Sequence, residues 1–220
     1  MTFTPEVIQM IVRGIGETLF MVFTSSFISY LIGIPLGVFL ITTDKNGIRP
    51  MPVLNSIVGV VINFLRSVPF MILLIMVLPV TRAIVGTTLG AKAVIPPLVF
   101  SAAPYVARMV ESSLKEVDPG VIEAARSMGA SNWYIIIHVL LLEARTSLIV
   151  GATICCGTIL GYTAMAGTVG GGGLGNIAIN YGYYRWDTTI MIVTVILIII
   201  LFQIIQTVGM FVAKKLDRRK

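Results

Sequence analysis

The chain has 220 residues, of which 56% are hydrophobic and only 12% charged, with a formal net charge of +6. Those proportions lie far outside the range of soluble globular domains and mark an integral membrane protein. Its apolar runs exceed the ~20 residues a helix needs to cross hydrocarbon, and lipid excludes irregular backbone, so the expected fold class is all-α.

Taken in order, Met1 to Glu17 carries Glu6, Arg13 and Glu17 and reads as a short exposed or interfacial lead-in. The uncharged run that follows is longer than the ~7–15 residues of a signal-peptide core, and no small-residue cleavage pattern closes it. It is expected to be retained as a first span at about 18–43, with Gly33, Pro35 and Gly37 permitting close packing and a local bend. After a surface turn from Asp44 to Pro52, a second span covers about 53–80, interrupted at Arg66-Ser67-Val68-Pro69. The third, about 93–113, holds Pro96, Pro97 and Pro104 and is expected to be kinked or partly broken, because proline removes a helical amide. A polar stretch at 114–139 leads to a fourth span at about 140–162. Gly167 to Gly175 then opens an irregular segment reaching Asp187, followed by a fifth span at about 188–213 and a basic tail, Lys214 to Lys220.

Five spans put the two ends on opposite sides. With the tail inside, only Arg13, Arg82, Lys92 and Arg185 fall outside, and every other Lys and Arg except the mid-span Arg66 falls inside. The positive-inside rule therefore predicts N-terminus out and C-terminus in. The basic tail suits anionic lipid headgroups at the inner surface, and no nucleic-acid role is needed to account for it.

The polar stretch has its own grammar. Asp118 can cap a helix whose first position is Pro119. Val121, Ala124, Ala125 and Met128 then recur at spacings of three and four to form a small-residue face, while Glu123 and Arg126 can pair on the other side. Gly129 stops or bends that helix before Ala130. An exposed helix between two spans needs something to dock against.

Hydrolytic and redox constellations are missing from the sequence. His138 is the only histidine and sits on the ascent from the polar stretch, while Cys155 and Cys156 are adjacent within a span and read as packing residues. The glycines at 170–173 lack the Gly-Lys-Ser/Thr of a phosphate loop. They read either as a flexible outer loop or as a tight turn that brings backbone to the mouth of a pathway. Arg66 is either near one membrane surface or functional, and Pro69 frees a carbonyl close to it. Gly157 and Gly161 have the spacing of a helix-packing motif that, in a homodimer, can also line a narrow path, with Tyr162 and Met165 near its outer end. A flexible thioether makes Met165 the preferred pathway candidate.

Glu123-Ala124-Ala125, three further residues and then Gly129 resemble the Glu-Ala-Ala loop of the membrane subunits of bacterial ABC importers. In that family the loop is a coupling helix seated in a groove of the ATPase. The resemblance gives this role to Asp118, Pro119, Glu123, Ala124, Ala125, Arg126, Met128, Gly129 and Ala130; Leu142 stands where the family often has proline. Three longer stretches, Phe64 to Phe70, Ala103 to Glu111 and Gly167 to Tyr184, are similar to the methionine-importer permeases in particular. That likeness implies a type I importer permease fold in the bacterial inner membrane, paired with a second copy of itself. It also implies two ATPase subunits that hold ATP and Mg, no cofactor in this chain, and an extracytoplasmic binding protein delivering L- or D-methionine for alternating-access import. Alternatives are import of another small amino acid or a quaternary amine, and an ATP-independent channel or carrier. Against the carrier, Asp and Glu occupy only span ends and loops.

Overall fold

The computed structural model describes residues 4–217, so Met1 to Phe3 of the lead-in and Arg218, Arg219 and Lys220 of the tail lie outside it. All regular structure among the described residues is helical, the form in which an apolar segment satisfies its own backbone without water.

Helix α1 (Pro5–Thr43) carries the described part of the lead-in and the first span as one helix, with Glu6 and Arg13 exposed on it. Pro5 occupies the first turn, where a missing amide costs nothing, and the helix runs unbroken past residue 18 for roughly 58 Å at 1.5 Å per residue. The second expected span is two helices, α2 (Pro52–Ser67) and α3 (Phe70–Val85). Val68 is extended and Pro69 cannot donate, so the pair bends by 107° at the interruption seen in the sequence. Of the kink or partial break expected in the third span, the break is absent: helix α4 (Ala91–Lys115) continues through Pro96, Pro97 and Pro104. Packing compensates: Pro97 and Pro104 are buried, and α4 is the most enclosed of the apolar helices.

The polar stretch contains α5 (Pro119–Ser127), and α6 (Asn132–Glu143) climbs from it with a widened π turn at Ile135–Leu140. Helix α7 (Arg145–Ala166) starts after a break at Ala144 rather than near residue 140. The segment expected to be irregular up to Asp187 is largely ordered: α8 (173–183) begins at Gly173–Ile177 and ends in a π turn, Ala178–Tyr183. Asp187 caps α9 (Thr188–Leu216), its carboxylate accepting from the amides of Thr189 and Ile190 at 3.1 and 3.2 Å. Among the described residues, four helical stretches are long and apolar enough to cross a membrane, or up to five with the bent α2–α3 pair taken as one span.

The bundle is built on the α1–α4 pair. A Cβ on Gly33 would lie 2.5 Å from Val106 Cγ1, and one on Gly37 2.6 Å from Val110 Cβ, so both glycines are what allows this approach. Met21 and Val22 of α1 pack with Phe70 and Leu74 of α3, Leu98 and Val106 of α4, and Ile159 of α7 in the main core. A second cluster joins Ile11 of α1, Leu174 and Ile177 of α8, and Ile190 of α9. By contrast α2 and α9 expose long apolar faces, including Val60 and Phe64, and Ile199 and Phe211. Exposed aromatics mark both ends, Trp133 and Tyr134 at one and Tyr183, Tyr184 and Trp186 at the other, as in membrane-interface belts.

Candidate functional site

At one end of the bundle, α5 is formed and terminated by strictly local chemistry. The Asp118 carboxylate accepts from the Gly120 amide at 2.8 Å, and Pro119 follows at the first helical position. At the other end of α5, Gly129 adopts φ +79°, its amide donates to Arg126 O at 2.9 Å and the Ala130 amide to Ala125 O at 3.1 Å. This is a Schellman cap, which only a residue at ease in the left-handed region closes cheaply. Ser131 then caps α6, its hydroxyl accepting from the Tyr134 amide at 3.3 Å.

Of the small-residue face, Ala125 alone is buried; Val121, Ala124 and Met128 are exposed, Met128 at 82%. They line a groove completed by Ala130, Tyr134, His138 and Val139, with His138 stacked on Tyr134 at 4.4 Å. Glu123 and Arg126 form no ion pair with each other among the described residues; both instead border a cavity of about 280 Å³ on the opposite side of α5, whose floor includes Ile41, Leu114 and Ile122. The helix thus leaves an apolar, unfilled face open along the groove it forms with α6.

Behind α5 lies a polar cluster that the sequence did not bring together. Arg108 donates to Glu111 Oε2 at 2.7 Å, to Gly59 O at 2.8 Å and to Asn63 Oδ1 at 3.1 Å. Glu111, the one buried charged residue among the described residues, also accepts from Lys115 Nζ at 2.7 Å, and Lys115 lies 3.6 Å from Asp44 at the end of α1. The spacing of Arg108, Glu111 and Lys115 along one helix face is visible in the sequence, but the partners on α2 are 45 and 49 residues away.

The opposite end, roughly 40 Å along α1 at helical rise, is built on the glycines. Gly170, Gly172 and Gly173 all have positive φ, and Gly170 O accepts from the Gly90 amide at 2.9 Å. Here Glu17 Oε2 accepts from the Gly173 amide at 2.8 Å and Thr18 Oγ1 from the Leu174 amide at 2.9 Å, so α1 caps α8. A Cβ on Gly167 or Gly175 would collide with backbone across this fold-back. The glycine segment is a tight, packed turn, with Gly171, Gly173 and Gly175 buried, and the flexible-loop alternative does not hold. Glu17, assigned only to the lead-in by sequence, is a structural partner of that turn.

The four candidate pathway residues divide. Gly157 is buried against α9, where an added Cβ would meet Phe202 Cε2 at 2.7 Å. Gly161 is exposed with open space around it, Met165 is 48% exposed, and Tyr162 stacks on Phe70 with centroids 4.4 Å apart. Ile154, Gly161 and Met165 lie on one exposed stripe of α7, and Thr168 is exposed in the turn just beyond it. Arg66, at the last turn of α2, is exposed and makes no ion pair among the described residues. No cluster of three or more metal-ligating side chains occurs among the described residues.

The chain is an apolar helical bundle with a bent span pair, a capped helix at one end and a packed glycine turn at the other, the layout of a multi-span membrane protein. Residues 31–220 match the family model described as binding-protein-dependent transport system inner membrane component, and the chain belongs to that family of ABC-importer permeases. It is a multi-pass protein of the bacterial inner membrane. It is 48% identical over 211 residues to the probable D-methionine transport system permease protein MetI of Vibrio cholerae, covering 96% of this chain and 94% of that one. It is 43% identical over 180 residues to the methionine import system permease protein MetP of Bacillus subtilis, covering 82% and 81%. A solved structure, an inward-facing conformation of the MetNI methionine ABC transporter, superposes with a TM-score of 0.96 at 43% identity over 98% of this chain and all of that one. An amino acid ABC transporter at 18% identity and TM-score 0.73 shares the fold.

Proposed function

We propose that this chain is the permease subunit of an ATP-driven methionine importer, moving L-methionine, and D-methionine with it, into the cytoplasm by alternating access. The observation that carries the reading is the superposition at TM-score 0.96 over 98% of the chain with an inward-facing conformation of the MetNI methionine ABC transporter. The named relatives support the same substrate class.

In this reading two copies of the chain pair, two ATPase subunits holding ATP and Mg dock on them, and a methionine-binding protein delivers substrate to the end that carries the glycine turn. The distribution of Lys and Arg supports an N-terminus outside and a C-terminus inside, which puts α5 on the ATPase side. The exposed face of Val121, Ala124 and Met128 is the surface the ATPase groove receives, with the caps at Asp118 and Gly129 keeping α5 a rigid plunger. Glu123, Ala125, Arg126 and Ala130 set its pose on the bundle. Motion of α5 tips the spans, and Gly161, Tyr162 and Met165 border the path on α7, with Gly157 holding that helix to α9.

The test is uptake of radiolabelled L-methionine into proteoliposomes containing this chain, its ATPase and its binding protein. ATP-dependent uptake competed by D-methionine and not by betaine is expected. Uptake without ATP would overturn the ABC mechanism, and ATP-dependent uptake competed by betaine or a polar amino acid instead would overturn methionine alone.

A further inference from the structure

We infer that Arg108 is a positioning residue of the transport cycle: with Glu111 and Lys115 it forms a rigid charge relay that carries displacement of α5 to α2, the first half of the bent span pair. The inference rests on the functional reading above and extends it to residues outside the coupling loop.

The relay begins at the base of α5. Lys115 ends α4, three residues before the Asp118 cap, and lines the same cavity as Glu123 and Arg126. Its ammonium donates to Glu111 at 2.7 Å and reaches Asp44 at 3.6 Å, so the start of the polar stretch is tied both to α4 and to the turn after α1. Glu111 is the hub. Its side chain is only 10% exposed and each carboxylate oxygen has its own cation, Lys115 on one and Arg108 on the other. Losing either cation would leave one oxygen of a carboxylate that is only 10% exposed without its hydrogen-bond partner, which couples the positions of the three side chains.

Arg108 then crosses to α2. Its guanidinium uses three nitrogens for three acceptors in fixed directions: Glu111, the Gly59 carbonyl and the Asn63 side chain. Only a planar fork meets all three; a lysine ammonium is a point donor on a flexible stem. Gly59 is shaped to admit it, since a Cβ there would lie 3.0 Å from Arg108 Nη2. These contacts grip α2 one to two turns before it ends at Ser67, where Val68 and Pro69 make the 107° bend into α3. A helix held rigidly on one side of a sharp bend and unconstrained at its exposed apolar face pivots about that bend. A surface ion pair would be worth little here; a desolvated hub with a guanidinium fork transmits direction as well as force.

The experiment reconstitutes the complete importer and measures ATP hydrolysed per methionine imported for the native chain, Arg108→Lys and Asn63→Ala, together with the thermal midpoint of each purified complex. Arg108→Lys keeps the charge and breaks the fork, and the expected result is a ratio raised roughly two- to thirtyfold, the range in which perturbing a coupling network acts. Asn63→Ala removes one acceptor and leaves the Glu111 hub intact, so it folds and is expected to raise the ratio by a smaller factor. A purely structural anchor would lower yield and thermal midpoint and reduce hydrolysis and uptake in proportion. Native uptake with an unchanged ratio in both variants overturns the relay and leaves the importer reading standing; if Arg108→Lys does not assemble, the ratio of Asn63→Ala decides alone. Absence of ATP-driven methionine uptake by the native complex overturns the functional reading and the relay with it.

Discussion

Replacing Gly129 by alanine isolates the conformational part of the α5 cap. A Cβ at this position meets nothing within 4 Å, so no steric clash is added, and the whole penalty is that of placing an L side chain at φ +79°. That penalty is about 1–2 kcal/mol. Spread over a helix of nine residues whose C-terminal turn closes through Gly129, it lowers the local opening free energy and not that of the bundle. Amide exchange of Met128, Gly129 and Ala130, which donate to Ala124, Arg126 and Ala125, should accelerate by about five- to thirtyfold. Asparagine, which tolerates the left-handed region, should fall between glycine and alanine. Gly129→Pro removes the amide and fixes φ near −65°, and should abolish protection of this turn. The thermal midpoint of the bundle should hardly move, while ATP-driven uptake falls in the order Gly, Asn, Ala, Pro. Equal exchange rates in Gly129→Ala and the native chain would refute the cap argument; normal uptake by a folded, inserted Gly129→Pro would refute the coupling role.

Glu17→Ala removes the acceptor of the Gly173 amide and should cost about 1 kcal/mol of local stability, read as faster exchange at residues 173–175, whereas Glu17→Gln keeps an acceptor and should be close to native. Gly37→Val drives a branched side chain into Val110 and should destabilise the bundle by about 1–3 kcal/mol or prevent assembly, measured by thermal unfolding in detergent. In a background with Cys155 and Cys156 replaced by serine, Met165→Cys should react with a small thiol reagent and Gly157→Cys should not, because Met165 is 48% exposed and Gly157 is buried against Phe202. Methionine should slow labelling at position 165 if Met165 borders the path; labelling at 157 faster than at 165 would reverse the assignment.

What the sequence makes legible is what local chemistry determines. The Asp118 cap, Pro119 and the Gly129 stop are encoded within a dozen residues, and the structure reproduces each. The interruption at Val68-Pro69 is equally local, although its size, 107°, depends on packing. The continuous α4 is the opposite case. Three prolines argue for a break, and burial between neighbouring helices overrides them, since in an apolar bundle the alternative leaves more backbone unbonded. The lead-in shows the same limit: Glu6 and Arg13 are exposed as their charge suggests, but Glu17 accepts from Arg13 at 2.9 Å and finds its second partner 156 residues away. No periodicity within the segment could announce that partner. The same holds for Asn63 and Gly59 against Arg108, and for Gly157, whose spacing to Gly161 suggests one shared role while α9 covers only the first.

The claim that α5 is where the ATPase engages is tested most directly by a photoreactive residue at position 128, at the most exposed point of its apolar face. In membranes holding the assembled complex, irradiation should join this chain to the ATPase subunit, and a probe at buried position 125 should not. A complex that hydrolyses ATP and imports methionine while position 128 yields no adduct with the ATPase would contradict the account.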